Sequence, residues 1–253
     1  TDWQARVRTD VPSVAVPESA KEGSSATLEA LLPRTAPLPM LSPARAVYSV
    51  SVLLDQLAGG LDGEEEREQE SRPPAAEKAR AFALARGTLV HRMFELWDLA
   101  QAPPDIAGLI ERSGMPPDTH PELAAQLETI AARFRECELG KRMATDARVL
   151  RETPFLLDLG DALVSGTIDA LLSDGTVIDY KTGHFTAECN ARYEWQLRLY
   201  AAALRELRGT APKEGILYYV DAERTHSFAI EDSQIDVALE RARDAIARLR
   251  RTI

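Results

Sequence analysis

The stretch Thr176-Val177-Ile178-Asp179-Tyr180-Lys181 sets a carboxylate and an ammonium two residues apart. Its β-branched and aromatic content predicts a strand, on which residues i and i+2 project from one face. Asp179 and Lys181 then lie side by side, with Ile178 and Tyr180 on the other face. Such a pair is an expensive arrangement unless it serves chemistry. Asp169 lies on the preceding strand candidate, across the turn Ser173-Asp174-Gly175, and counting inward from that turn sets it roughly opposite Asp179. Two carboxylates that close raise one another's pKa unless a cation lies between them. A divalent metal with oxygen ligands is the natural cation, and Mg²⁺ typically takes one or two carboxylates plus substrate phosphate. Lys181 is then placed to orient or deprotonate a water attacking phosphorus, which is metal-assisted phosphodiester hydrolysis. A surface hairpin carrying an ion pair has the same spacing, and spacing alone leaves both readings open.

Other residues could join this group. Gly87, His91 and Glu95 recur every four residues on an apolar helical stretch and share a face. His91 reads either as a hydrogen-bonded core histidine or as a nitrogen ligand beside the carboxylates, which favours Mn²⁺ or Mg²⁺ in a mixed site. Gly87, one turn earlier, would let another backbone pass close. Glu152, in Arg151-Glu152-Thr153-Pro154-Phe155, could face the site or be an edge-strand charge beside Pro154. Gln196 and Tyr200, four apart on a later helix, could reach a phosphate or hold a catalytic group, or simply be satisfied polar tips.

The elements that must position them follow from periodicity. Helices are expected over 75–101, stopped by Pro103-Pro104, then over 105–112 and 121–138. The period then changes to strands at 148–158, 162–172 and 176–181, joined by the polar turns at Gly160-Asp161 and Ser173-Asp174-Gly175. A helix at 191–208, strands at 214–220 and 224–230 and a helix at 233–251 complete the chain. This order predicts an α/β fold: an antiparallel meander plus a later strand in one mixed sheet, flanked by helices. Residues 1–80 differ in texture. They hold 8 of the 15 prolines and the acidic run 62–70, and read as a lead-in or linker with a short Ser-capped helix near 49–58, ended by Gly59-Gly60; residues 81–253 read as the catalytic domain.

Five motifs occur in order: Arg86-Gly87-Thr88-Leu89-Val90-His91, Arg151-Glu152-Thr153-Pro154-Phe155, Gly166-Thr167-Ile168-Asp169, Asp179-Tyr180-Lys181-Thr182-Gly183 and Gln196-Leu197-Arg198-Leu199-Tyr200. Together they resemble the RecB-family nuclease domain, a branch of the PD-(D/E)XK nucleases, over roughly residues 80–250. The resemblance implies a PD-(D/E)XK core. It implies that His91, Asp169 and Asp179 bind Mg²⁺ or Mn²⁺, that Lys181 is catalytic, and that Glu152, Gln196 and Tyr200 support it. It further implies a deoxyribonuclease, an exonuclease in double-strand-break end processing and recombinational repair. Such domains end helicase–nuclease subunits such as AddA and RecB. The partners expected are therefore DNA, as single strand delivered by a helicase domain on the same full-length chain, and a second nuclease subunit. The alternative is a catalytically silent nuclease fold that guides DNA or docks a partner; such domains usually lose a ligand or the Lys, and none is lost here.

Composition narrows the rest. The 253 residues carry 30 Lys+Arg against 40 Asp+Glu, a net charge of −10, so bulk charge does not hold nucleic acid. Basic residues cluster at Arg133, Arg135, Lys141, Arg142, Arg148 and Arg151 and at Arg241, Arg243, Arg248, Arg250 and Arg251, as DNA contacts or as solvated helix faces. Two cysteines, Cys137 and Cys189, are too few for the four-Cys iron–sulfur cluster usual in AddB-type relatives and CRISPR-adaptation nucleases. There is no G-x-x-x-x-G-K-[ST] loop and no Gly-rich nucleotide loop for a small-molecule-binding α/β domain. The chain lacks an apolar run of transmembrane length, a signal peptide and an initial Met. It is expected to be a cytoplasmic, nucleoid-associated piece of a longer protein.

Overall fold

Six strands form one mixed sheet: β1 (Ala46–Ser49), β2 (Leu150–Asp158), β3 (Ala162–Leu171), β4 (Val177–Lys181), β5 (Glu214–Tyr219) and β6 (Arg224–Ala229). The structure is a computed structural model and describes residues 45–57, 74–183 and 185–252. Strands β2, β3 and β4 make the expected antiparallel meander, β5 adds parallel to β4, and β6 closes antiparallel on β5. Each meander turn has a local cause. Asp158 Oδ1 accepts the Gly160 N–H at 2.7 Å, and Asp174 Oδ1 accepts the Thr176 N–H at 2.9 Å beside Gly175, whose φ of +92° suits a residue without a Cβ.

Around the sheet lie α1 (Val50–Leu57), α2 (Pro74–Leu96), α3 (Ile106–Glu111), α4 (His120–Glu136), α5 (Glu138–Thr145), α6 (Ala187–Arg208) and α7 (Asp232–Thr252). Helices α1, α6 and α7 bury Leu53, Leu197, Leu199, Ala238 and Ile246 against one sheet face. Helices α2 to α5 bury Met93, Phe94, Leu123, Leu127 and Phe134 against the other. Alternation along β4 and β5 serves both: Val177, Leu217 and Tyr219 join the first core, Ile178, Tyr180, Ile216 and Tyr218 the second. Phe94 stacks on Tyr180 with centroids 4.2 Å apart, which packs α2 flat against β4.

Several expectations need correction. The lead-in read over 1–80 contributes sheet and core. β1 pairs in parallel with the first half of β3, Ala46↔Ala162 through Ser49↔Ser165, and α1 buries Val50, Leu53 and Leu54. The compact unit accordingly runs from Arg45 rather than from 81. The Ser cap is present, Ser49 Oγ accepting the Val52 N–H at 3.3 Å, whereas Gly59-Gly60 and the acidic run lie outside the described residues. Helix α2 ends at Leu96, short of Pro103-Pro104, because the Trp97 indole donates to the Gln101 carbonyl at 3.3 Å and Asp98 accepts the Ala100 N–H at 3.1 Å, closing a turn. Helix α5, absent from the periodicity reading, starts where Cys137 Sγ accepts the Gly140 N–H at 3.3 Å. No helix among the described residues is long and apolar enough to cross a membrane.

Candidate active site

The site forms where the sheet parts. β4 pairs with β3 only through Ala170↔Ile178 and Leu171↔Val177, and the strands then diverge. The opposition of Asp169 and Asp179 expected from the turn is what this register extends to. In place of the next ladder bond, Asp169 Oδ2 accepts the Tyr180 N–H at 2.8 Å. The same level of the sheet carries a break in alternation. Val164 and Ile168 face the α6 side of the sheet, but Ala170 and Leu172 face the α2 side. Across the β2–β3 ladder the paired register skips from Arg151↔Ala170 to Thr153↔Ile168, and the residue between, Glu152, has φ +44°. A non-glycine residue in the left-handed region costs on the order of 1–2 kcal/mol, and such strain collects at functional sites. Here it switches both strands from one face to the other at the level of Asp169.

Helix α2 supplies the remaining ligand. His91 Nδ1 lies 3.4 Å from Asp169 Oδ2. One ligand atom each from His91, Glu152 and Asp169 falls within 4.8 Å of the others, a spacing a single cation can collect. Gly87 permits this approach: a Cβ there would meet Thr182 Oγ1 at 3.2 Å, so the close neighbour is a side chain of the segment after β4 and not backbone. Glu95, on the same face, instead pairs with Arg92.

Asp179 stands behind this group with its side chain only 2% exposed. The Lys181 ammonium is 2.7 Å from Asp179 Oδ2 but off the direction of a hydrogen bond, which leaves that buried oxygen without a hydrogen-bond donor. Lys181 donates to Gln196 Oε1 at 3.0 Å, and Gln196 Nε2 donates to the Tyr200 hydroxyl. One residue escaped the sequence reading: Tyr193, whose ring lies under Lys181 Nζ at 4.0 Å from its centroid. Its position three before Gln196 on the same helical face was the available signal.

The electrostatics agree on a deficit of positive charge. Burial raises the Asp179 pKa from 3.8 to about 6, with Lys181 opposing and Asp169 adding to the rise. Glu152 is raised by burial and then by Asp169. Burial works to lower His91, yet the contact with Asp169 and the field of both aspartates raise it overall. Tyr200 is pushed well up by burial beside Asp179, so its hydroxyl stays protonated. A buried carboxylate oxygen whose one cationic neighbour is poorly aligned, three convergent ligands and acids raised above their ordinary pKa together fit a divalent cation.

An open cleft of about 960 Å³ leads to these groups, lined among others by Arg80, Arg86, His91, Glu152, Lys181 and Tyr193. Of the basic residues singled out by sequence, several are neutralised within the protein. Arg133 pairs with Glu223 at 2.5 Å, Arg142 with Asp174 and Glu214 at 2.8 and 3.0 Å, and Arg250 with Asp161. The cleft arginines, Arg80 and Arg86, lay outside those clusters, and Arg86 is itself paired with Asp221.

The sequence model of the PD-(D/E)XK nuclease superfamily matches residues 61–253. The A-type component of the ATP-dependent helicase/nuclease of Bacillus cereus (strain ATCC 10987 / NRS 248) is 29% identical over 197 residues, covering 64% of this chain. The corresponding helicase/nuclease protein of Bacillus cytotoxicus is 31% identical over 196 residues, again 64% of this chain. The chain spans only 16% and 15% of the lengths of these two relatives. A solved structure from Eubacterium rectale overlays with a TM-score of 0.46 at 16% identity, covering 67% of this chain and 66% of that one.

Proposed function

The chain belongs to the PD-(D/E)XK nuclease superfamily, and from that premise we propose that it is a divalent-metal-dependent deoxyribonuclease domain, the nuclease part of a helicase–nuclease that trims DNA ends for recombinational repair. The observation that carries the proposal is the convergence of His91, Glu152 and Asp169 beside a buried Asp179 oxygen that has no hydrogen-bond donor. In the observed geometry His91, Glu152 and Asp169 would hold Mg²⁺ or Mn²⁺, and Asp179, which stands outside that group, would join them through its buried oxygen. The ion would supply positive charge against the scissile phosphate and satisfy the crowded carboxylates.

The protein's own groups do the rest. Lys181 is held at the site by Gln196, which Tyr200 fixes in turn, so the ammonium offers a proton donor to the phosphate or orients the attacking water. The water oxygen bonds to phosphorus, the P–O ester bond opens, the water gives up a proton and the leaving alkoxide gains one. The cleft is open rather than enclosed and its arginines are few, which suits a strand that arrives already delivered. The helicase that would deliver it is proposed on the same full-length chain, because the helicase/nuclease relatives are several times longer than this domain. Exonucleolytic action, a place beside the nucleoid in the cytoplasm and a second nuclease subunit belong to the same reading.

The test is cleavage of linear single- and double-stranded DNA with Mg²⁺, Mn²⁺ or EDTA, alongside Lys181→Ala. Metal-dependent cutting that vanishes in the variant supports the proposal. A folded chain that neither cuts DNA nor binds Mn²⁺ refutes it.

A further inference from the structure

Lys181 has three N–H groups and three neighbours, and the neighbours differ in kind. Gln196 Oε1 accepts at 3.0 Å, Asp179 Oδ2 lies at 2.7 Å in poor alignment, and the face of Tyr193 lies 4.0 Å from the nitrogen. Tyr193, Gln196 and Tyr200 stand at i, i+3 and i+7 of α6 and form one stripe facing the end of β4. The Tyr193 ring is half-buried, packed against the core on its inner side and lining the cleft on its outer side. Its position is therefore set by packing and does not depend on the ammonium.

Asp179, were it to hold a divalent cation, would present less net negative charge to Lys181 and so hold the ammonium less firmly. An aromatic face attracts the ammonium through its quadrupole whatever Asp179 binds, and offers a divalent ion no ligand atom. The side of the ammonium that faces Asp179 would then be free to turn toward the substrate, with Gln196 and the ring still defining where the ammonium sits.

We propose that Tyr193 is a positioning residue, holding the Lys181 ammonium over its ring face so that the amine stays at the site when Asp179 is taken up by metal. This rests on the nuclease reading above. The variants that separate its parts are Tyr193→Leu, which keeps apolar packing and removes the π face, and Tyr193→Phe, which keeps the face and removes the hydroxyl. In the full chain with Mn²⁺, Tyr193→Leu lowers kcat for DNA cleavage about tenfold, with KM and Mn²⁺ affinity changed less than about twofold, while Tyr193→Phe stays within about threefold of the parent. In the metal-free chain the Lys181 Cε protons, assigned by their loss in Lys181→Met, resonate upfield through the ring current in the parent and in Tyr193→Phe and return downfield in Tyr193→Leu.

A parent chain that cuts DNA together with a Tyr193→Leu variant that cuts equally well overturns the inference and leaves the nuclease reading intact. Equal deficits in Leu and Phe overturn it too, since the hydroxyl would then be the active part. A parent with no upfield shift removes the contact itself. A parent that cuts no DNA overturns the nuclease reading, and with it the positioning role.

Discussion

Asp179→Asn in chelator is expected to make the domain more stable at neutral pH, although it removes a residue of the proposed metal site. Burial raises the Asp179 pKa from 3.8 to about 6 in the folded state. A raised folded pKa means that the native state holds its proton more tightly than the unfolded chain. The associated stability is therefore full below about pH 4 and is lost as the pH climbs through about 6. Two pKa units correspond to about 3 kcal/mol at neutral pH. Asn does not ionise, so the variant escapes that loss. The attraction of Lys181 is already contained in that figure, since it opposes the rise that burial imposes. The gain is about 3 kcal/mol, or about 6–12 °C in Tm for a domain of this size. His91 and Glu152 are raised as well, so the parent's own stability falls with pH through all three groups, and because Asp179 adds to both of those shifts the difference between variant and parent reports Asp179 together with its coupling to them. The assay is thermal unfolding by circular dichroism in EDTA from about pH 4 to about pH 8. The curves should converge at the acid end and separate toward neutrality, and Mn²⁺ should raise Tm in the parent alone. A variant less stable than the parent by the same margin at every pH would refute the reasoning, because the carboxylate would then be a favourable buried group and not a strained one.

Other consequences are separable. Lys181→Met should abolish DNA cleavage, at least about a hundredfold in kcat, while Mn²⁺ still raises Tm, since the amine is not among the ligands; calorimetry with Mn²⁺ checks the second half. Gly166→Ala should cost about 1–3 kcal/mol, because a Cβ would lie 2.6 Å from the Phe155 ring and 3.2 Å from Val50, so α1 and β2 must both yield; urea unfolding measures it. Leu53→Ala should cost about 2–5 kcal/mol, as the side chain is fully buried, and an effect below about 1 kcal/mol would mean that α1 is not seated in the core.

Most of the framework was legible because period is local. The meander, the strand after α6 and the closing helix follow from alternation and turn residues, and Asp158 and Asp174 close the two turns that the polar dipeptides marked. The opposition of Asp169 and Asp179 was legible for the same reason, since a tight turn fixes register on both sides of it. What was illegible depends on distant chain. Ala46–Ser49 is a strand only because β3 offers a free edge at 162–165, and four residues flanked by proline-rich sequence carry no signal of that. Glu152 reads like any residue of a strand; its left-handed φ arises from the demands of the ladder on either side. Tyr193 is locally one more aromatic on an amphipathic helix, and only the fold sets Lys181 above it.

The partition of β3 explains why these distant features coincide. One edge of β3 is taken along its length by β2, while the other is shared, β1 holding Ala162–Ser165 and β4 holding only Ala170 and Leu171. Between them, residues 166–169 have no strand partner on that side among the described residues, and Asp169 is the last of them. Gly166 lies at the start of this gap, where the Phe155 ring and Val50 occupy the space a side chain would need. A carboxylate can point into such a gap and accept the Tyr180 N–H that ladder pairing would have used, which a continuous sheet would forbid. The gap persists only if both halves of the edge are held, so the short strand from the proline-rich lead-in is part of what keeps the acidic end of β3 apart from its neighbour. The strained Glu152 and the face reversal are the other half of the same solution: they let β3 serve the α6 core before the gap and the α2 core after it, bringing His91 of one layer and Asp179, Lys181 and Gln196 of the other to a single point.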